Sequence, residues 1–295
     1  MRGGSDVGAC VQRVRELLYS RTGLSFSNEK VDYIERRVRE RMRAVSLDAM
    51  AAYVGRLSED PAELQELTNL VTVNETRFFR EEYHFRCLVR SLLPELLAAG
   101  QLDGHLRLWS IPCATGEEPY SMAIYLLENW PQVDGHHVDI VGSDIDTRAL
   151  AVAREGLYED NSLSNLPPLL RTKYFKRQPD GRHRLAAGLR SSVDFGHLNM
   201  TRPGDIKPLG TFHVIFCRNV LIYFDEPTRL AVMRNLYQAL RPGAFLCLGH
   251  SEMLARQELD LLLRRFPDAA VYQRPGPSAP RAPTSGSPAE RQRGS

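Results

Sequence analysis

The chain has 295 residues, 43% of them hydrophobic and 25% charged, with a formal net charge of +2. That length holds two domains, or one with an appendage. The composition is ordinary for a folded soluble protein, and no apolar run approaches the roughly 18 residues of a membrane span. The start, MRGGSDVGAC, lacks the apolar core of a signal peptide. The net charge singles out no class of partner; only local clusters can do that. Cys10, Cys87, Cys113, Cys217 and Cys247 are odd in number, far apart and without a CxxC, which reads as reduced thiols in the cytosol. The histidines show no metal-ligand spacing: His136 and His137 are adjacent and on a strand would point to opposite faces. A metal site is not expected.

Residues 1–75 read as a small helical domain. Val31, Ile34, Val38, Met42 and Val45 recur at helical spacing, giving one apolar stripe. Asp60-Pro61 is a helix start, cap then first-turn proline, ahead of Leu64, Leu67, Leu70 and Val71. After residue 100 strands and helices alternate. Strands are predicted at 105–111, 137–143, 212–217 and 244–249, and helices from Glu117, over 147–155 and near 226–240. Such alternation predicts a parallel sheet with helices on both faces. An insertion at about 170–196 breaks the rhythm: KYFKRQPDGRHRLA predicts a short β-hairpin, 173–187, turning at Asp180-Gly181. The last 21 residues, with five prolines and almost no large apolar side chain, are expected to be disordered.

The residues that carry chemistry lie at predicted strand ends. IPCATGEEPYS follows the first strand without a dinucleotide or nucleoside-triphosphate phosphate loop. Glu117 and Glu118 open a helix, an ordinary dipole effect, though acids there would also repel phosphate and suit a cationic or hydroxyl-rich ligand. Asp144, in GSDID, is placed to accept hydrogen bonds from a ribose diol or to cap a helix. HVIFCRNVLIYFD, 213–225, sets Arg218-Asn219 inside an apolar run. Either the strand simply ends at Cys217 in a turn, or it presents two polar groups at the crevice where open α/β sheets bind ligands. Together these positions point to a nucleoside bearing positive charge, which S-adenosylmethionine fits.

NETRFFR (74–80), ATGEEPYS (114–121), GSDID (142–146), FCRNVLIYFD (216–225) and LGHSE (248–252), in that order and spacing, closely resemble the CheR-type chemotaxis receptor glutamate methyltransferases, over roughly residues 10–273. The resemblance implies a Rossmann-like S-adenosylmethionine-dependent methyltransferase domain, 76–274, behind a receptor-binding helical domain, 1–75. Its product would be glutamate methyl esters on chemoreceptor cytoplasmic helices. It implies cofactor contacts from Asn74, Thr76, Arg80, Glu117, Asp144, Asn199, Met200, Arg218 and Asn219. Arg80 and Tyr223 are expected beside the transferred methyl. Met200 stands where the family has leucine, a swap that keeps the bulk.

The resemblance further implies a cytoplasmic monomer, with neither nucleic acid nor membrane insertion. The absence of an Asp-Pro-Pro-Tyr type motif also argues against methylation of DNA bases. Alternatives at this level are a same-fold enzyme for another acceptor and a non-catalytic adaptor. In ERRVRERMR (35–43) only Glu35 and Glu40 offset Arg36, Arg37, Arg39, Arg41 and Arg43. This helix is expected to steer an acidic receptor helix. The hairpin loop RQPDGRHR lacks the Gly-x-Gly element of family members that capture a receptor tether, so no tether dependence is expected.

Overall fold

The computed structural model describes residues 3–252 and 259–276. Four helices come first: α1 (Gly3–Thr22), α2 (Val31–Ala44), α3 (Met50–Glu59) and α4 (Pro61–Val71). The predicted stripe is real, for Ile34, Val38 and Met42 are buried with Val11, Val14, Leu18, Tyr53, Leu57 and Leu67. Asp60 caps α4 as expected, its Oδ1 accepting from Ala62 N at 3.0 Å and Glu63 N at 3.2 Å. An irregular segment, 72–82, leads into α5 (Tyr83–Cys87), a π-helical turn (Leu88–Leu92) and α6 (Leu93–Ala98).

The remainder alternates: β1 (His105–Ser110), α7 (Glu117–Asn129), β2 (His137–Asp144), α8 (Thr147–Glu155), β3 (Leu157–Tyr158), α9 (Pro168–Tyr174), β4 (Phe175–Arg177), β5 (His183–Leu185), α10 (Ala187–Arg190), β6 (Val193–His197), α11 (Pro203–Ile206), β7 (Phe212–Cys217), α12 (Glu226–Ala239), β8 (Leu240–Leu248), β9 (Leu262–Arg265) and β10 (Ala270–Gln273). The main sheet runs β6-β2-β1-β7-β8-β10-β9. Strands β6, β2, β1, β7 and β8 are parallel to one another, and β10 is antiparallel to both β8 and β9. Strand order reverses between β1 and β7, the switch point at which a crevice opens beyond the carboxyl ends of the strands.

The run in β7 is buried on both faces, as a central parallel strand requires. Val214 and Phe216 join Phe85, Leu88, Leu108 and Phe245 on one side. Ile215 and Cys217 join Trp109, Leu246 and α12's Val232, Met233 and Leu236 on the other. The expected hairpin forms as β4 and β5, turning through Gly181 at φ 88°. It recruits the two residues of β3 into a small sheet of order β3-β5-β4.

Two features depart from expectation. Strand β8 starts at Leu240, not 244, taking in Gly243 (φ 84°) across a register shift against β7. Strands β6, β9 and β10 were not anticipated. They are short, four or five residues, too brief for alternation to register. No helix among the described residues is long and apolar enough to cross a membrane. Most of the expected disordered tail, 277–295, lies outside the described residues.

Candidate active site

The loop after β1 folds back through Gly116, whose φ is 93°. A Cβ there would come within 2.8 Å of the Ala153 Cβ, so glycine is what lets α7 start against α8. Beyond the ends of β1, β2 and β7, two adjoining clefts share Val73, Pro112, Ala114 and Asn219 in their walls. One, of about 480 Å³, is lined also by Thr76, Arg80, Phe85, Glu118 and Arg218. The other, of about 630 Å³, is lined by Asn74, Asp144, Ile145 and Tyr223, and by Phe26, Lys30 and Tyr33 from the helical residues.

Arg218 lies in the wall of the first cleft. The residue is 5% exposed, and its Nη1 donates to Glu118 Oε2 at 2.7 Å. Its Nη2 lies 2.9 Å from Glu81 Oε2 and donates to the Arg80 carbonyl at 2.9 Å. Burial alone would lower a guanidinium pKa, but Glu118 and Glu81 outweigh it and raise that of Arg218. His84 Nδ1 lies 3.5 Å from Glu81 Oε2. That ring and Arg218 hold the Glu81 carboxyl far below the usual range, while burial, opposed by Glu81, lowers the pKa of His84. Two carboxylates around one guanidinium leave that trio one negative charge over, which Arg80 in the same cleft wall offsets. A polar pair inside an apolar run is therefore not a turn of convenience.

Asp144, 3% exposed, accepts from Ala114 N at 2.7 Å through Oδ2 and from Asp146 N at 2.8 Å through Oδ1. A carboxylate oxygen can accept more than one hydrogen bond, and Asp144 lines the second cleft. Burial pushes its carboxyl pKa up to about 6, against the pull of those amides. Asn74 lines the same cleft but spends its Nδ2 on Asp146 Oδ2 at 2.7 Å, and Asp146 in turn caps α8 through Arg148 N and Ala149 N.

Other expected site residues lie elsewhere. Glu117 does not line either cleft; it is buried, accepts from Thr115 Oγ1 at 2.6 Å, and burial raises its pKa. The neighbouring Glu118 is the acid that faces the cleft. Asn199 donates to the Arg21 carbonyl at 2.7 Å and lines a third cavity, of about 710 Å³, which shares Ile145 with the second cleft. Met200 is a core residue packed with α12.

Arg80 lines the first cleft with its Nη1 on the Glu75 carbonyl at 2.5 Å. Tyr223 lines the second, with Lys30 Nζ 5.9 Å above its ring. Burial, the larger influence, raises the phenol pKa, and Arg80 opposes it.

The basic helix is not uniformly free. Arg36, Arg39 and Arg43 are exposed, although Arg39 reaches Glu35 at 2.6 Å. Arg37 is half-buried and pairs with Glu40 at 3.1 Å. Arg41 departs from the expected basic face: it grips Glu63 through two bonds, 2.9 and 2.8 Å, and Tyr53 Oη reaches the same carboxylate at 2.8 Å. That contact ties α2 to α4.

Sequence reading gave no role to Glu81 or Glu252, and did not separate Glu118 from Glu117. Glu252 is buried and its carboxylate accepts from backbone amides of the 219–221 turn. The LGHSE motif contained it without revealing what it holds. Strand register also creates a group that spacing along the chain could not show. His105 and His137 are partners across β1 and β2, and their Nε2 atoms lie 2.7 and 3.0 Å from Asp139 Oδ2 and Oδ1. It sits at the far ends of those strands, away from the clefts.

Comparison with known proteins bears on the same residues. The family model for "CheR methyltransferase, SAM binding domain" matches residues 74–265, and that for "CheR methyltransferase, all-alpha domain" matches 11–72. The chain is 37% identical over 275 residues to "Chemotaxis protein methyltransferase 2" of Vibrio cholerae, covering 92% of this chain and 94% of that one. It is 40% identical over 246 residues to the protein of the same name from Pseudomonas aeruginosa, with coverage of 82% and 85%. To "Chemotaxis protein methyltransferase" of Escherichia coli it is 35% identical over 258 residues, with coverage of 86% and 87%.

Proposed function

The chain belongs to the CheR methyltransferase family and is an S-adenosylmethionine-dependent methyltransferase, and from that premise we propose that its acceptors are glutamate side chains on the cytoplasmic helices of chemoreceptors. The observation that carries this reading is the buried Arg218 held between Glu118 and Glu81 at the switch point. Glu118, an acid in the cleft wall, offers a cationic ligand a carboxylate partner. Asp144 offers lone pairs for a ribose diol in the second cleft, which adjoins the first.

When bound, S-adenosylmethionine supplies an electrophilic methyl on a sulfonium. The remaining work falls to the protein. A glutamate side chain has a reference pKa of about 4.3, so the acceptor arrives ionised and no general base is needed. A carboxylate oxygen forms the new C–O bond as the C–S bond breaks, the sulfur keeps the electron pair, and two opposite charges disappear. Alignment and removal of water from the acceptor are then the main tasks. Arg80, lining the first cleft, and Tyr223, lining the second, are the groups we assign to orienting the acceptor oxygen. Thr76 and Asn219 complete the wall, and Asn74 acts by holding the Asp146 cap.

The helical residues 1–75 would present the receptor, and residues 76–274 perform the transfer. Exposed Arg36, Arg39 and Arg43 on α2 favour an acidic helix as the docked partner. A receptor's cytoplasmic region as acceptor places the enzyme in the cytoplasm. Transfer of a labelled methyl to a receptor cytoplasmic fragment tests the whole reading.

A further inference from the structure

We propose that Glu252 is a positioning residue for methyl transfer: its carboxylate gathers the amides of the turn that carries Arg218, Asn219 and Tyr223, and so fixes where those side chains meet the acceptor. The inference rests on the methyltransferase reading above.

Glu252 is 6% exposed. Its Oε1 accepts from Val220 N and Leu221 N, each at 2.7 Å. Its Oε2 accepts from Asn219 N at 2.8 Å and Gly249 N at 2.9 Å. A chain leaving a central strand into a buried turn has amides with no ladder partner, and buried amides must find one. Here one side chain from beyond β8 serves three consecutive amides after β7 and one after β8. The turn is not self-sustaining. Asn219 is held at φ 60°, a left-handed conformation that costs a non-glycine residue energy and persists only where its surroundings enforce it.

Gly249 serves the same contact. A Cβ at that position would lie 2.7 Å from Glu252 Oε2 and 2.9 Å from Asn219 N, so only glycine lets the ends of β7 and β8 approach around the carboxylate. The pairing explains why glycine and glutamate stand three apart in LGHSE.

The turn's geometry reaches outward in two directions. At one end Arg218 meets Glu118 and Glu81. At the other, the Tyr223 carbonyl accepts from Ser25 N at 2.9 Å, and Asp225 caps α12 through Thr228 N at 3.0 Å while accepting from Tyr19 Oη at 2.8 Å. The helical residues that would present the receptor thus dock on the turn that Glu252 holds. Displacing it moves the acceptor's guides and its docking platform together.

Three measurements test this. In the parent protein, amide exchange by NMR should show Asn219, Val220, Leu221 and Gly249 protected although they lie outside any ladder; unprotected amides would overturn the proposal without any variant. Glu252→Gln keeps the shape but replaces one carboxylate oxygen with an NH₂ that faces two of the four N–H donors, so that pair of amides should exchange faster. Its single-turnover rate from prebound S-adenosylmethionine should fall on the order of 10²-fold, as for a misplaced reacting group, while cofactor affinity changes far less. Glu252→Asp, a carboxylate one methylene short, should recover part of that rate. A variant less heat-stable than the parent but equal to it in rate per folded site would make Glu252 a structural residue only. A parent that methylates no receptor fragment would instead sink the methyltransferase acceptor reading, which the amide-exchange result does not depend on.

Discussion

Arg218 and Glu118 meet at 2.7 Å, Nη1 to Oε2, and this one bond ties the end of β7 to the first turn of α7 beneath the cleft. Glu118 also accepts from Ser110 Oγ at 2.7 Å, so the residues closing β1, opening α7 and ending β7 share a single carboxylate. Removing the guanidinium would leave Glu118 and Glu81 facing each other unpaired. We therefore expect Arg218→Ala to lose about 3–5 kcal/mol in chemical denaturation. Glu118→Gln should cost less, because Arg218 keeps Glu81, yet it removes a negative charge from the cleft wall. A titration showing unchanged S-adenosylmethionine affinity in Glu118→Gln would remove the charge argument.

Asp144 makes cofactor binding depend on pH. Its carboxyl, raised by burial to about 6, accepts ribose hydroxyls best when ionised, so binding lowers its pKa and favours proton release. Affinity should be level above pH 7 and fall as pH drops through 6, by at most about tenfold per pH unit for one proton. Calorimetry across that range checks the sign. In Asp144→Asn the affinity should be weaker at neutral pH and lack this acid limb. An acid limb surviving in Asp144→Asn would assign it to another group.

The arginines of α2 divide into two kinds with opposite expected phenotypes. Arg39→Glu with Arg43→Glu should raise the apparent KM for receptor and flatten its salt dependence, since screening acts beyond about 8 Å at physiological salt. Fold and cofactor affinity should hold. Arg41→Ala should instead destabilise by about 3–5 kcal/mol, because it strands the buried Glu63 carboxylate. Receptor kinetics and melting of the two variants, side by side, decide. Identical phenotypes would contradict the division.

Tyr223→Phe should leave cofactor affinity near the parent value and lower the single-turnover rate. Equal rates would reduce Tyr223 to a packing wall.

The small sheet β3-β5-β4 turns through a loop holding only Gly181. We expect a receptor carboxyl-terminal pentapeptide to bind weakly or not at all, and methylation to proceed without it. Tight binding in a calorimetric titration would reverse this.

Much of the frame was legible because local signals agreed. The apolar run of 212–217 could only be a strand buried on both faces. Asp60-Pro61 carried its own cap, and Asp180-Gly181 its own turn. What stayed hidden depends on register or on distant partners. Glu117 and Glu118 are adjacent on a helix, about 100° apart, and the sequence does not say which one the fold turns toward the cleft. Arg41 looks like its exposed neighbours until α4 supplies Glu63. Glu252 reads as one acid in a short motif; its meaning lies in amides some thirty residues earlier in the chain.

The most direct test of the account is transfer of labelled methyl from S-adenosylmethionine to a purified chemoreceptor cytoplasmic fragment, followed by mild base. The account predicts incorporation into the fragment, release of the label as methanol, and loss of incorporation when the acceptor glutamates are replaced by alanine. Label that resists base, or that persists without those glutamates, would contradict ester formation on glutamate.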